Sequence, residues 1–144
     1  MILYLDTSAV VKLFIREAGT DYVQGLFAPA GVFGTSRICQ TEFSAALSKS
    51  VRMGICTAET AEGALTEFTR IWGSVIKVDA DAGVLGRAAD LAWEHGLRGY
   101  DAVHLASAMR LESLARSHVS MVTYDKQLWD ISRKVGMVTL PERL

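Results

Sequence analysis

Four acids stand where sequence patterns change. Asp6 ends the apolar run "ILYL", Glu42 lies early in "TEFSAAL", Asp101 heads "DAVHLASAMRL", and Asp125 follows the β-branched run "VSMVT". Carboxylates gathered within a few ångströms repel one another and raise each other's pKa unless a cation neutralises them. Mg2+ or Mn2+ does this naturally, being a hard ion that takes oxygen ligands and keeps several waters. Such a centre can activate water and stabilise charge on a phosphate ester. Thr7, Ser8 and Thr123 offer hydroxyls beside the acids to orient a carboxylate or a coordinated water. Each acid also has a plainer role. Asp6 suits a turn, Glu42 a solvated helix face, and Asp101 and Asp125 suit helix N-caps.

The elements that must position these acids alternate along the chain. "ILYL", "GVFGTS", "SVIKVD", "VSMVT" and "MVTL" are short apolar runs of the kind that form buried strands. Between them, "SAVVKLFIRE", "TDYVQGLFA", "RICQTEFSAALSKSVRMG", "TAETAEGALTEFTRIW", "ADAGVLGRAADLAWEHG", residues 100–116 and "KQLWDISRKVG" carry apolar residues at helical spacing. Gly19, Gly54 and Gly96 are expected to stop helices. The fourth helix starts with a Thr but lacks the Glu of a capping box. Strands alternating with helices predict an α/β sandwich around a mainly parallel sheet. In such sheets, ligands bind beyond the carboxyl ends of the strands.

With the acids placed on these elements, "LDTSAVVKLF", "TEFSAAL", "GYDAVHLASA" and "VTYDKQLW" resemble, in order, the motifs of PIN-domain ribonucleases, and most closely those of the VapC-type toxins of bacterial toxin–antitoxin pairs. The resemblance spans nearly the whole chain and implies a three-layer α/β/α fold whose acidic site binds Mg2+ or Mn2+ and cleaves RNA. It implies Asp6 and Asp101 as direct metal ligands, with Glu42 and Asp125 completing the pocket through the metal or its waters. It also implies in-line attack by water, leaving 3′-hydroxyl and 5′-phosphate ends. No ribose 2′-hydroxyl is needed as nucleophile, so preference for RNA must come from binding. The implied partners are an RNA substrate and a cognate antitoxin. Two other readings stay open. One is a Mg2+-dependent phosphatase or phosphotransfer domain, although "DTSAV" lacks a second Asp two residues on. The other is a non-catalytic PIN-like RNA-binding module, which would be expected to lose one or more acids.

The remaining residues with chemical potential have simpler readings. Asp79 and Asp81 suit turn formation and helix capping. His104, three residues after Asp101, is expected to pack or to support the site rather than act as a base. Tyr100 could stack on a base, but an aromatic beside a helix start is usually core. Lys12, Arg37, Arg98 and Lys126, with Lys49 and Arg52, are candidates to hold RNA phosphates, each with solvated surface charge as the alternative.

Bulk properties set the frame. A length of 144 residues suits one domain spanning 1–144 with a real core, and 50% hydrophobic with 22% charged residues argues against disorder. Fifteen basic against sixteen acidic residues leave the chain nearly neutral, which neither marks nor excludes a nucleic-acid binder. Cys39 and Cys56 have no metal-site spacing and fit a reducing, cytoplasmic compartment. Asp6 and Lys12 interrupt the apolar N-terminus, which argues against a signal peptide or membrane helix. Apolar excess in "VVKLF" and "YVQGLF" predicts a homodimer and a groove for an antitoxin segment.

Overall fold

The computed structural model describes residues 1–28 and 31–144. Five strands form one sheet: β1 (Ile2–Leu5), β2 (Val32–Ser36), β3 (Ile76–Val78), β4 (Val119–Val122) and β5 (Val138–Leu140). Their order is β3-β2-β1-β4-β5 and every pairing is parallel. Seven helices occupy the connections among the described residues: α1 (Thr7–Phe14), α2 (Thr20–Phe27), α3 (Cys39–Arg52), α4 (Ala58–Trp72), α5 (Ala82–His95), α6 (Gly99–Ala115) and α7 (Lys126–Lys134).

Period-2 alternation along β1 sends its side chains into two separate cores. Leu3 and Leu5 pack with residues of α1, α3 and α4, while Tyr4 joins α5, α6, Leu128 and Met137 on the other face. The result is a three-layer α/β/α sandwich. Aromatic rings dominate the first core: Phe43 stacks on Phe68 with centroids 4.4 Å apart, and Phe14 meets both rings edge-on. Complete burial of one such side chain contributes about 1.5–3 kcal/mol.

The second core is organised by α6. Residues 102 to 108 of this helix are all buried, as is Leu111, so it has no solvent stripe along its middle turns. Small residues there let it lie close to the sheet. Gly34 of β2 shows how close, because a Cβ at that position would sit 2.9 Å from Leu111 Cδ2 and 3.2 Å from the Ile76 carbonyl oxygen.

Helix starts follow local chemistry. Asp6, Asp81 and Asp125 each accept a backbone N–H from three residues on, capping α1, α5 and α7. Thr57 caps α4 in the same way without a capping-box Glu. Two expectations need correction. Gly19, at φ 88°, does not end α1, which stops at Phe14; it starts α2 instead. Asp101 is not an N-cap. Arg98, with extended backbone (φ −62°, ψ 150°), holds that position, so Asp101 lies inside the first turn of α6.

Candidate active site

Strand order 3-2-1-4-5 places the switch point at β1, whose neighbours β2 and β4 lead to connections on opposite faces. Asp6 follows β1 there and is 4% exposed. Its Oδ1 accepts the Ser8 hydroxyl at 2.7 Å and the Ala9 N–H at 2.9 Å, and its Oδ2 accepts the Thr123 hydroxyl at 2.7 Å. Thr123 in turn accepts the Asp125 N–H, and Ser8 accepts that of Tyr124. Two hydroxyls therefore tie the end of β1 to the end of β4. In "DTSAV", Ser8 stands where a phosphotransfer site would carry a second Asp, and its hydroxyl is spent on Asp6.

Glu42, on the first turn of α3, is held through one oxygen. Thr7 donates to its Oε1 at 2.7 Å, and His104 Nε2 meets the same atom at 2.6 Å. His104 is 2% exposed, and the Tyr4 hydroxyl bonds its Nδ1 at 2.9 Å. The Glu42 carboxylate can only accept, so Nε2 carries a proton and donates it to Glu42. A chain of contacts thus runs from the buried face of β1 through α6 to α3.

Asp101 and Asp125 share a cation supplied by the chain itself. Arg98 Nε donates to Asp101 Oδ2 and one terminal nitrogen donates to Asp125 Oδ2, both at 2.6 Å. Asp125 Oδ1 is meanwhile engaged by the Leu128 N–H. Thr123 and Arg98 thus link Asp6, Asp125 and Asp101 by hydrogen bonds. Glu42, Thr7 and His104 form a second cluster that meets the first through the Asp6–Thr7 peptide and shares a cavity wall with Arg98 and Asp101.

The charges respond to this arrangement. Burial raises the Asp6 carboxyl above its ordinary value, against the pull of His104 and of its own donors. Burial also raises Asp101, with Asp125 adding repulsion and Arg98 offsetting part of it. Burial pushes Glu42 upward too, but the His104 bond and charge, with Thr7 and Arg98, outweigh it and leave Glu42 below the usual range. Burial thus disfavours the charged forms of Asp6 and Asp101, which a bound cation would favour. Among the described residues, no three Asp, Glu, His or Cys side chains stand in a ready-made coordination sphere. The donor set nevertheless fits a hard divalent ion: it is all oxygen, Asp6 and Asp101 are desolvated, and a guanidinium already bridges Asp101 and Asp125.

A profile of the PIN domain matches residues 3–134. The chain belongs to the PIN domain family. This PIN domain is 30% identical to Ribonuclease VapC45 of Mycobacterium tuberculosis over 143 residues, 99% of this chain and 97% of that protein. Its fold resembles that of Mycobacterium tuberculosis VapC20, a Sarcin-Ricin loop cleaving toxin, with TM-score 0.66 and 18% identity over 94% of this chain and 96% of the other. It likewise resembles a chain of a toxin–antitoxin complex from Klebsiella pneumoniae, with TM-score 0.59 and 18% identity over 85% and 86% of the two chains.

The candidate phosphate contacts of this PIN domain part company. Lys12 is buried: its ammonium bonds Glu17 and the Ala18 carbonyl and lies 4.3 Å from the centroid of the Tyr124 ring, so it cannot hold RNA. Arg37 pairs with Asp79 at the surface, and Lys126 pairs with Asp130 over the Trp129 ring. Tyr100 is not core but 66% exposed, beside the acids. Tyr4 is the residue that sequence reasoning missed. Its signal was a lone hydroxyl inside "ILYL", since a buried Tyr usually needs a hydrogen-bond partner. No helix among the described residues is long and apolar enough to cross a membrane, and Cys39 and Cys56 are both free.

Proposed function

We infer that this PIN domain is an endoribonuclease that hydrolyses RNA phosphodiester bonds and acts as the toxin of a toxin–antitoxin pair. The observation that carries the reading is the gathering of Asp6, Asp101 and Asp125, linked through Thr123 and Arg98, with Glu42 beside Asp101 and Arg98 at the switch point of a PIN fold. Relatives named as VapC ribonucleases, matched over nearly their whole length, support it. Asp6 and Asp101 would hold Mg2+ or Mn2+ directly, with Glu42 and Asp125 completing the pocket. The ion would supply Lewis-acid polarisation of the phosphodiester and activation of the attacking water.

The chain's own residues do the positioning. Ser8, Thr123 and the Ala9 N–H fix the orientation of the Asp6 carboxylate. Thr7 and His104 both occupy Oε1 of Glu42, which leaves Oε2 to orient a water for in-line attack. Arg98 neutralises Asp101 and Asp125 in the resting site and can turn to a substrate phosphate when a metal relieves it of that task.

A cavity of about 520 Å3 between α1, α2 and α4, with Leu13, Phe14, Phe27, Ala64 and Ile71 in its lining, is the seat we assign to an antitoxin segment. A basic side chain of that partner reaching the acids would block metal and substrate together. Homodimerisation and a cytoplasmic location complete the proposal; sedimentation as a monomer at high concentration would remove the dimer.

The deciding experiment incubates the protein with Mn2+ or Mg2+ and a structured RNA, beside a small phosphate ester. RNA cleavage leaving 5′-phosphate ends, lost in Asp101→Asn, is expected. Hydrolysis of the ester alone would point to the phosphatase reading and overturn this one.

A further inference from the structure

Two of the acids, Glu42 and Asp101, face a cavity of about 500 Å3 lined also by Arg98, Gly99, Tyr100 and Val103. That volume lies within the roughly 300–1,000 Å3 of small-molecule sites. Its walls differ in kind. Glu42 and Asp101 form the acidic side, Arg98 supplies a cation that is largely exposed, and Tyr100 supplies an aromatic ring. A Cβ built on Gly99 meets no atom within 4 Å apart from its chain neighbours, so the cavity wall is unobstructed at that position. The Tyr100 ring takes part in neither core, whereas Tyr4 is fully buried and bonded. A flat aromatic face, a guanidinium and a carboxylate cluster in one cavity match the three parts of a nucleotide at a scissile bond: base, phosphate and reacting centre.

We propose that this cavity is a single-nucleotide subsite, in which the base of an unpaired ribonucleotide adjoining the scissile phosphate stacks on Tyr100 while Arg98 holds its phosphate. The assignment rests on the ribonuclease reading above and adds the residues that bind the nucleotide at the cut, a ring for its base and a guanidinium for its phosphate. A base inside a duplex has both faces covered by its neighbours, so it has none to offer Tyr100. A splayed base has one. Stacking of this kind is tolerant of base identity, because every base carries a π face. Tyr100 therefore imposes an unpaired nucleotide without choosing which one.

The test begins by mapping the cut in a single-stranded RNA oligonucleotide. Wild type, Tyr100→Ala and Tyr100→Phe are then compared on that oligonucleotide and on versions abasic at either nucleotide flanking the cut. Tyr100→Ala should lower kcat/KM by about 5- to 150-fold, the range of one base–aromatic stack. Tyr100→Phe, which keeps the ring, should recover most of that loss. At one flanking position, removing the base should cost wild type a similar factor and cost Tyr100→Ala little, as expected when two changes delete one contact. The rise in melting temperature on adding Mn2+ should be equal in wild type and Tyr100→Ala, showing the acids intact. The subsite is overturned if Tyr100→Ala stays within twofold of wild type, if the two losses multiply at both positions, or if fully paired RNA is cut as well as single strands. Wild type that cuts no RNA with either metal fails at the earlier step and overturns the ribonuclease reading along with it.

Discussion

At the scale of single residues, the decisive group is Asp101, whose carboxylate faces Arg98 from within the first turn of α6. Asp101→Asn should abolish RNA cleavage. It should hold or raise the melting temperature of the metal-free protein, because burial already disfavours the charged form. Parallel melting curves and cleavage assays on the same preparations check both halves. The raised carboxyls also set a pH dependence. Folded Asp6 and Asp101 bind protons more tightly than the unfolded chain, whose carboxyls sit near the ordinary 3.8. Between that value and the folded values the native state holds more protons, so stability falls as pH rises through the window. Glu42 runs the other way, since its lowered pKa adds stability that is lost on acidification through its folded value. Asp6→Asn keeps the cap on α1 and should flatten the part of the metal-free profile that falls with rising pH. Tyr4→Phe strands His104 Nδ1 in the core, at a cost of about 1–3 kcal/mol in urea unfolding. It should also release the imidazole tautomer, which 15N shifts of His104 would report.

At the scale of elements, β2 must pass close beneath α6, and Gly34 is where the approach is tightest. Gly34→Ala should destabilise by about 1–3 kcal/mol, as overpacking does, since the new methyl meets the Ile76 carbonyl oxygen as well as the movable tip of Leu111. A calorimetric scan beside wild type measures it. All five strands and the helices between them could be read from local pattern, because short apolar runs and 3.6-residue periodicity both belong to single elements. The site was legible only in part. Asp6 and Asp125 lie directly before helices, so their placement followed from neighbouring residues. Asp101 and Tyr100 did not, because α6 is buried around its middle turns and a helix without an amphipathic stripe gives no clue to which side its first turn faces. Lys12 was misread for another reason. Its burial depends on Tyr124, more than a hundred residues away, and nothing in "VVKLF" signals that ring.

At the scale of the whole molecule, the acids come from α3, α6 and the ends of β1 and β4, so a cation bound among them ties both faces of the sheet together. Mn2+ should therefore stabilise the entire fold, by about 2.7 kcal/mol when free metal reaches 100 times its dissociation constant. Asp101→Asn should gain far less, as thermal shifts across a metal titration would show. The bond from Thr123 to Asp6 has a further consequence, since it joins residues 117 positions apart. During synthesis β1 emerges first, yet its neighbour β4 is made only after α6. Until β4 slides in beside β1, Asp6 has no Thr123 and the network has no Asp125. A polypeptide abandoned anywhere short of that point, by a premature stop or a broken message, carries only part of the acidic cluster. On the ribonuclease reading, a chain that ends before β4 is expected to leave RNA uncut, which a cleavage assay on such a fragment beside the full chain would check.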